Sequence, residues 1–230
     1  MSREAYVARS KARRIAALLR DESVEPMLAG CSADELARYE SELVEVLFSA
    51  DAKRVGALAR AAVLLPVPIA ARIAQRALGP WLCARLTGEL APPLARQIAE
   101  HFDIAFLAEL AGDLDPRRAS TVVSALPVPL VRDVAAALAA AGQHVAMARF
   151  VPHLGEHAVA ECLGVLTGAD ILRLAFVMDS PEQVRALVEQ MSREQVSGLA
   201  AVSVSHGLQT EFAAMRLSCT RTQRRLLQSA

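Results

Sequence analysis

The chain has 230 residues, enough to bury a substantial core; 53% are hydrophobic but only 4% aromatic. Its 25 Lys and Arg balance 25 Asp and Glu, so it lacks the basic excess of a general nucleic-acid binder, and no nucleic-acid partner is expected. No run reaches the ~18 apolar residues of a membrane span, and strand-like β-branched or aromatic runs are scarce, which leaves an all-α protein rich in the helix formers Ala, Leu and Arg.

Residues 1–64 read as an N-terminal helical cap. Over 1–21 a helix sets Arg3, Arg9, Lys11, Arg13, Arg14 and Arg20 against Tyr6, Ala12, Ile15 and Leu18–Leu19. A basic amphipathic helix can lie on a membrane, but without Trp or Phe this one reads as a solvated helix with one apolar stripe. The run Ile15–Leu19 is too short for the apolar region of a signal peptide. Pro26 opens a helical turn that Gly30 ends. Ser32-Ala33-Asp34-Glu35 then spells a capping box, in which the Ser hydroxyl accepts from the third helical amide and the Glu reaches back. The helix it starts, over 33–49, places Leu36, Tyr39, Leu43, Val46 and Leu47 on one face, and Asp51 caps a further helix over 52–64.

From Leu65 a rhythm begins. A large apolar residue followed within four positions by Pro, Asp, Ser or Gly returns about every 12 residues, at Leu65, Leu78, Leu90, Phe102, Leu114, Leu126, Leu138, Phe150, Leu166, Met178 and Met191. Leu65-Pro66-Val67-Pro68-Ile69 recurs as Leu126-Pro127-Val128-Pro129-Leu130, and Leu90-Ala91-Pro92-Pro93 as Leu114-Asp115-Pro116-Arg117. Each Pro stands at a first helical turn, where its missing N–H costs nothing. Twelve residues hold one short helix, and helices of this length are marginal in water unless they bury a face against a neighbour. The expected fold is a right-handed α-solenoid of about five antiparallel helix pairs over 65–207, closed by a C-terminal capping helix over 208–230 in one continuous unit. Between Phe150 and Leu166 the spacing lengthens to about 16, where Gly155, Gly164 and Gly168 crowd a looser joint or bend.

The proline-started rhythm, above all Leu114-Asp115-Pro116-Arg117-Arg118-Ala119 and Leu126-Pro127-Val128-Pro129, resembles the cytoplasmic N-terminal domain of MgtE-type magnesium transporters, and more distantly the armadillo-like repeats of the flagellar switch protein FliG. The likeness covers roughly 65–195 and implies a superhelix of short paired helices. The acidic surface that gathers magnesium in that family has Glu89, Glu109, Asp113 and Asp115 as its nearest equivalent, with Arg117 and Arg118 beside them.

Chemistry-bearing groupings are few. No phosphate-cradling glycine loop or nucleophile elbow is present, so no catalytic residue and no cofactor is expected. His153-Leu154-Gly155-Glu156-His157 spells H-x-x-E-H, a zinc-ligand spacing in which His153 and His157 chelate and Glu156 serves as base, with Glu161 as a third ligand. Gly155 interrupts that helix, and the bland reading is an exposed or capping pair. His144 and Arg149, with His153 and His157, form a candidate polar patch on one rim. Trp81, Phe102 and Phe106 are core residues or the lining of an apolar cleft. Cys31, Cys83, Cys162 and Cys219 lie far apart without a C-x-x-C pair, which suits a reduced, cytoplasmic protein.

The expected function is a non-enzymatic interaction module, a scaffold or regulatory adaptor that binds a protein partner or a second copy of itself. The alternative is a carrier of an apolar small molecule, because high apolar content with few aromatics leaves an interior unfilled.

Overall fold

The computed structural model describes residues 2–19, 21–40, 42–43 and 63–227, and all regular structure among them is helical. Two compact units are formed, Met1–Ala57 and Leu58–Ala230.

In the first unit, α1 (Arg3–Leu19), α2 (Val24–Met27) and α3 (33–40) enclose a small core. Ala12 and Ile15 of α1 meet the fully buried Leu36 of α3, with Val24, Leu28 and Cys31 around them. The capping box forms as its spacing predicts. The Ser32 backbone N–H and hydroxyl donate to Glu35 Oε2 at 2.9 and 2.8 Å, and the Glu35 N–H donates to Ser32 Oγ at 3.3 Å. The basic side of α1 is paired within the unit: Arg14 Nε lies 2.8 Å and Lys11 Nζ 3.7 Å from Glu40, and Arg13 Nε lies 3.0 Å from Glu25. The expected helix over 52–64 and the end of the helix over 33–49 fall outside the described residues, apart from Leu43 and helical Val63–Leu64.

The second unit runs α4 (Val67–Ile73), a π-helical turn (Ala74–Leu78), α5 (Gly79–Thr87), α6 (Pro92–Ala99), α7 (Ile104–Asp113), α8 (Ser120–Ser124), α9 (Val128–Ala140) and α10 (His144–Phe150). A 3₁₀ turn (Val151–His153) follows, then α11 (Glu156–Val165), α12 (Gly168–Val177), α13 (Pro181–Glu189), α14 (Arg193–Ser205), α15 (Gln209–Ser218) and α16 (Arg221–Leu226). Helices α4, α5, α6, α9 and α13 carry Pro in their first two positions. The apolar anchors fall where helices end: Leu114, Leu166 and Met178 occupy the C-cap positions of α7, α11 and α12 and are buried there.

Most packing skips one helix at a time, although α12 also rests on α15, and α9 on α10 and α14 on α15 as sequential neighbours. Helix α4 rests on α6 and α6 on α8; α5 rests on α7, α7 on α9 and α9 on α11; α10 rests on α12, α12 on α14 and α14 on α16; α13 rests on α15. Helices this short gain their stability from such side-by-side burial.

The structure corrects four details of the rhythm. Leu138 does not end a helix but is buried inside α9. That helix stops instead at Gly142, whose φ of +68° is open to glycine at little cost and lets the Gln143 N–H donate back to the Leu138 carbonyl at 2.9 Å. Pro116 opens a turn rather than a regular helix: the Asp115 carboxylate accepts the Arg117 N–H at 3.0 Å, and α8 forms only from Ser120. The lengthened interval before Leu166 is used by the Val151–His153 turn, with Gly155 as the N-cap of α11. The single helix expected over 208–228 is two, because Thr220 caps α16 with its own capping box to Gln223.

Candidate functional site

Helix α8 is five residues long. It turns Val122 and Val123 inward, and its Ser and Thr side chains are at least partly exposed. Two cavities lie beside it, of about 120 and 190 Å³. Leu107, Leu110 and Leu114 of the α7 segment, with Val123 and Leu126, form a wall common to both. The smaller cavity continues between α9, α10 and α11 past Ala135, Phe150 and Leu163; the larger continues between α4, α5 and α6 past Cys83, Ile98 and Phe102. Protein interiors are otherwise close-packed. Both spaces are partly open to solvent rather than sealed.

Of the three aromatic residues expected to line a cleft, Phe102 does so. Its ring meets that of Phe106 with centroids 4.8 Å apart, but Phe102 stands just ahead of α7, two residues before its first turn, and Phe106 is buried. Trp81 is half-buried elsewhere on α5, with the Arg85 guanidinium 5.6 Å from its ring centre.

Two members of the candidate rim patch make contacts within the unit. His144 is 2% exposed, and its Nε2 lies 3.0 Å from Asp170 Oδ1 on α12. Arg149 turns back to the end of α7, donating to the Leu114 carbonyl at 3.0 Å and the Gly112 carbonyl at 3.5 Å. Both residues join one helix to another across the unit. His153 and His157 take no part in these contacts.

A second device, not foreseen from the sequence, recurs at every other helix. The N-caps Thr167, Ser192 and Thr220 of α12, α14 and α16 each form a capping box with the residue three positions on. In all three that third residue also reaches a different helix. Asp170 meets His144 of α10, Gln195 Nε2 donates to the Leu163 carbonyl of α11 at 2.7 Å, and Gln223 Nε2 donates to the Arg185 carbonyl of α13 at 3.1 Å. Arg185 in turn donates to the Ser218 carbonyl of α15 at 3.0 Å. The signal was legible as T-x-x-D, S-x-x-Q and T-x-x-Q at 167, 192 and 220. Burial tends to raise the Asp170 carboxyl, but the hydrogen bonds from Thr167 and His144 outweigh it and hold the group below its ordinary value.

His153 ends the 3₁₀ turn and Glu156 opens α11, with Leu154 and Gly155 extended between them. The two histidines therefore do not share a helical face, and the motif loses the i, i+4 geometry that chelation by one helix needs. Among the described residues no group of three or more His, Cys, Asp or Glu side chains could hold a metal ion.

The cysteines are free thiols. Burial pushes Cys83 up to about 12 and Cys162 up to about 11, and it raises Cys219 as well, so these three stay protonated and unreactive near neutrality. Treatment of the native protein with Ellman's reagent is expected to modify half-buried Cys31 first, the other three following only on denaturation. Rapid modification of Cys83 or Cys162 would show that the cavity walls open freely.

Among the described residues no helix is long and apolar enough to cross a membrane. The chain matches no protein-family model, no curated protein and no solved structure.

Proposed function

We propose that the second unit is a right-handed α-solenoid of stacked helix pairs that serves as a non-enzymatic protein-binding module, a scaffold or regulatory adaptor. The skip-one packing of its helices and the recurring cap-and-strut device on α12, α14 and α16 support the stacked reading. It is also the architecture implied by the resemblance to the N-terminal domains of MgtE-type transporters.

The observation that carries the binding role is the outer face of α4. Ala70 and Ala71 on one side of that helix pack against Ile98 of α6. On the other, Ile69 and Ile73 are 51% and 45% exposed, one helical turn apart, and Leu64 ahead of them is 84% exposed. An exposed apolar stripe of this kind is what a protein partner covers, whether another protein or a second copy of this chain. A chain without net charge opposes such association weakly.

The test replaces Ile69 by Asp, a half-exposed position where the change costs the fold little. Light scattering and capture from native lysate should show a dimer or a stoichiometric protein partner for the wild type, and at least ~10-fold weaker association for Ile69→Asp, equivalent to ~1.4 kcal/mol. A wild-type protein that is strictly monomeric and captures no stoichiometric partner overturns the reading.

A further inference from the structure

We propose that the two cavities flanking the α7–α8 wall are receptor sites for a small, uncharged, hydrocarbon-rich molecule, each of a size to hold one ring or a short branched chain.

The chemistry of the walls selects the ligand. The shared wall of Leu107, Leu110, Leu114, Val123 and Leu126 is aliphatic throughout. In the smaller cavity the one side chain with a polar atom is Cys162, in the larger Cys83 and Thr87. None of these can orient a polar ligand. The Thr87 hydroxyl already donates to the Cys83 carbonyl at 2.9 Å, the Cys83 thiol lies 3.6 Å from the Ala74 carbonyl, and both thiols are held neutral by burial. A carboxylate or ammonium entering here would lose its hydration with nothing in exchange. A ring or branched hydrocarbon loses nothing and gains the dispersion contacts that the walls lack.

The volumes set the size. An apolar cavity of about 150 Å³ lined by Leu, Ile and Phe stays dry and takes up benzene. The two cavities here, about 120 and 190 Å³, bracket that value and have the same kind of lining, with Phe150 beside one and Phe102 beside the other. Val123 of α8 and Leu126 just ahead of α9 line both, so the two spaces meet at the short α8 segment.

The probe is toluene, with benzoate as the charged control of equal ring size. Toluene near its solubility limit should raise the thermal midpoint of the wild-type protein by several degrees. It should also shift the methyl NMR signals of Leu107, Leu110, Val123 and Leu163, while benzoate does neither. Ala99→Leu places a larger side chain in the larger cavity and Ala135→Leu in the smaller. Each should abolish the methyl shifts on its own side of the α7–α8 wall and leave those on the other. If either variant fails to fold, the wild-type methyl map decides alone: shifts confined to the lining residues support the sites, and shifts scattered over the surface overturn them. Absence of any midpoint or methyl change with toluene, or an equal response to benzoate, overturns them too. Ile69→Asp should leave toluene binding in the smaller cavity intact, since no α4 residue lines it, whereas Ile73 of the α4 stripe lines the larger; the smaller cavity therefore tests this proposal separately from the protein-binding role.

Discussion

Leu172→Ala is expected to destabilise the second unit by about 3–5 kcal/mol. Leu172 is 0% exposed and sits on α12, which packs against α10, α14 and α15 at once. Three neighbours fix its surroundings, so a removed isobutyl group leaves a hole that cannot collapse from one side. The effect matters more here than in a well-filled domain, because the interior beside α7 and α8 already lacks packing atoms. Urea unfolding should show a lower midpoint at an unchanged slope, the sign of lost stability rather than altered compactness. Val204→Ala on the outer side of α14 is the control; at 69% exposure it should change stability by less than about 0.5 kcal/mol. A loss under about 1 kcal/mol for Leu172→Ala would show that α12 is not held by its neighbours as described.

What the sequence disclosed divides along the range of the interactions involved. Local chemistry was readable. The Ser32–Glu35 box, the proline-started helices and the buried anchors at Leu114, Leu166 and Met178 all depend on residues a few positions apart, and all appear as expected. The rhythm went astray where a different local device overrode it. Gly142 ends α9 through its left-handed backbone, so Leu138 became core instead of an end, and Thr220 split the last helix by starting another. Long-range partners were not readable. Nothing near His144 announces that its imidazole will meet a carboxylate 26 positions away, and a helix-starting His next to an Arg looks like surface. The same holds for the second leg of the capping residues. The caps were visible as spacings, but the contacts of Gln195 with Leu163 and Gln223 with Arg185 exist only after the helices stack.

The cavities stand between these cases. Scarcity of aromatic side chains in an apolar chain already pointed to an interior short of volume. Where the shortage falls depended on α8 being a single turn and a half long, which follows from the Asp115-Pro116 turn consuming residues that a regular helix would have used. The departure from the regular repeat and the candidate ligand site thus have one origin.

Asp170→Ala is expected to cost about 2–4 kcal/mol near neutral pH, because one carboxylate performs two tasks there. It closes the N-terminus of α12, accepting the Thr167 N–H at 3.3 Å and the Thr167 hydroxyl at 2.5 Å. It also faces buried His144 of α10 at 3.0 Å, with the Arg173 guanidinium 3.6 Å away on its own helix. Losing this leg of the capping box, with Thr167 still accepting the backbone N–H at 170, costs no more than the ~1 kcal/mol of a whole cap. The remainder comes from withdrawing the acceptor that faces an imidazole out of reach of water. The two losses are separable: His144→Ala should cost less in the Asp170→Ala background than in the wild type, and the difference measures the strut between α10 and α12. The pH dependence follows from the depressed carboxyl. A carboxyl held below its unfolded value of 3.8 stabilises fully above that value, and its contribution disappears as pH falls through the lower, folded one. The part of the gap in unfolding free energy between wild type and Asp170→Ala that the carboxylate charge supplies should therefore narrow steadily below about pH 4. Urea titrations across that range measure it directly. A gap that stays constant under acid would mean that the Asp170 charge contributes nothing to joining α12 to α10, and that its role ends at the cap.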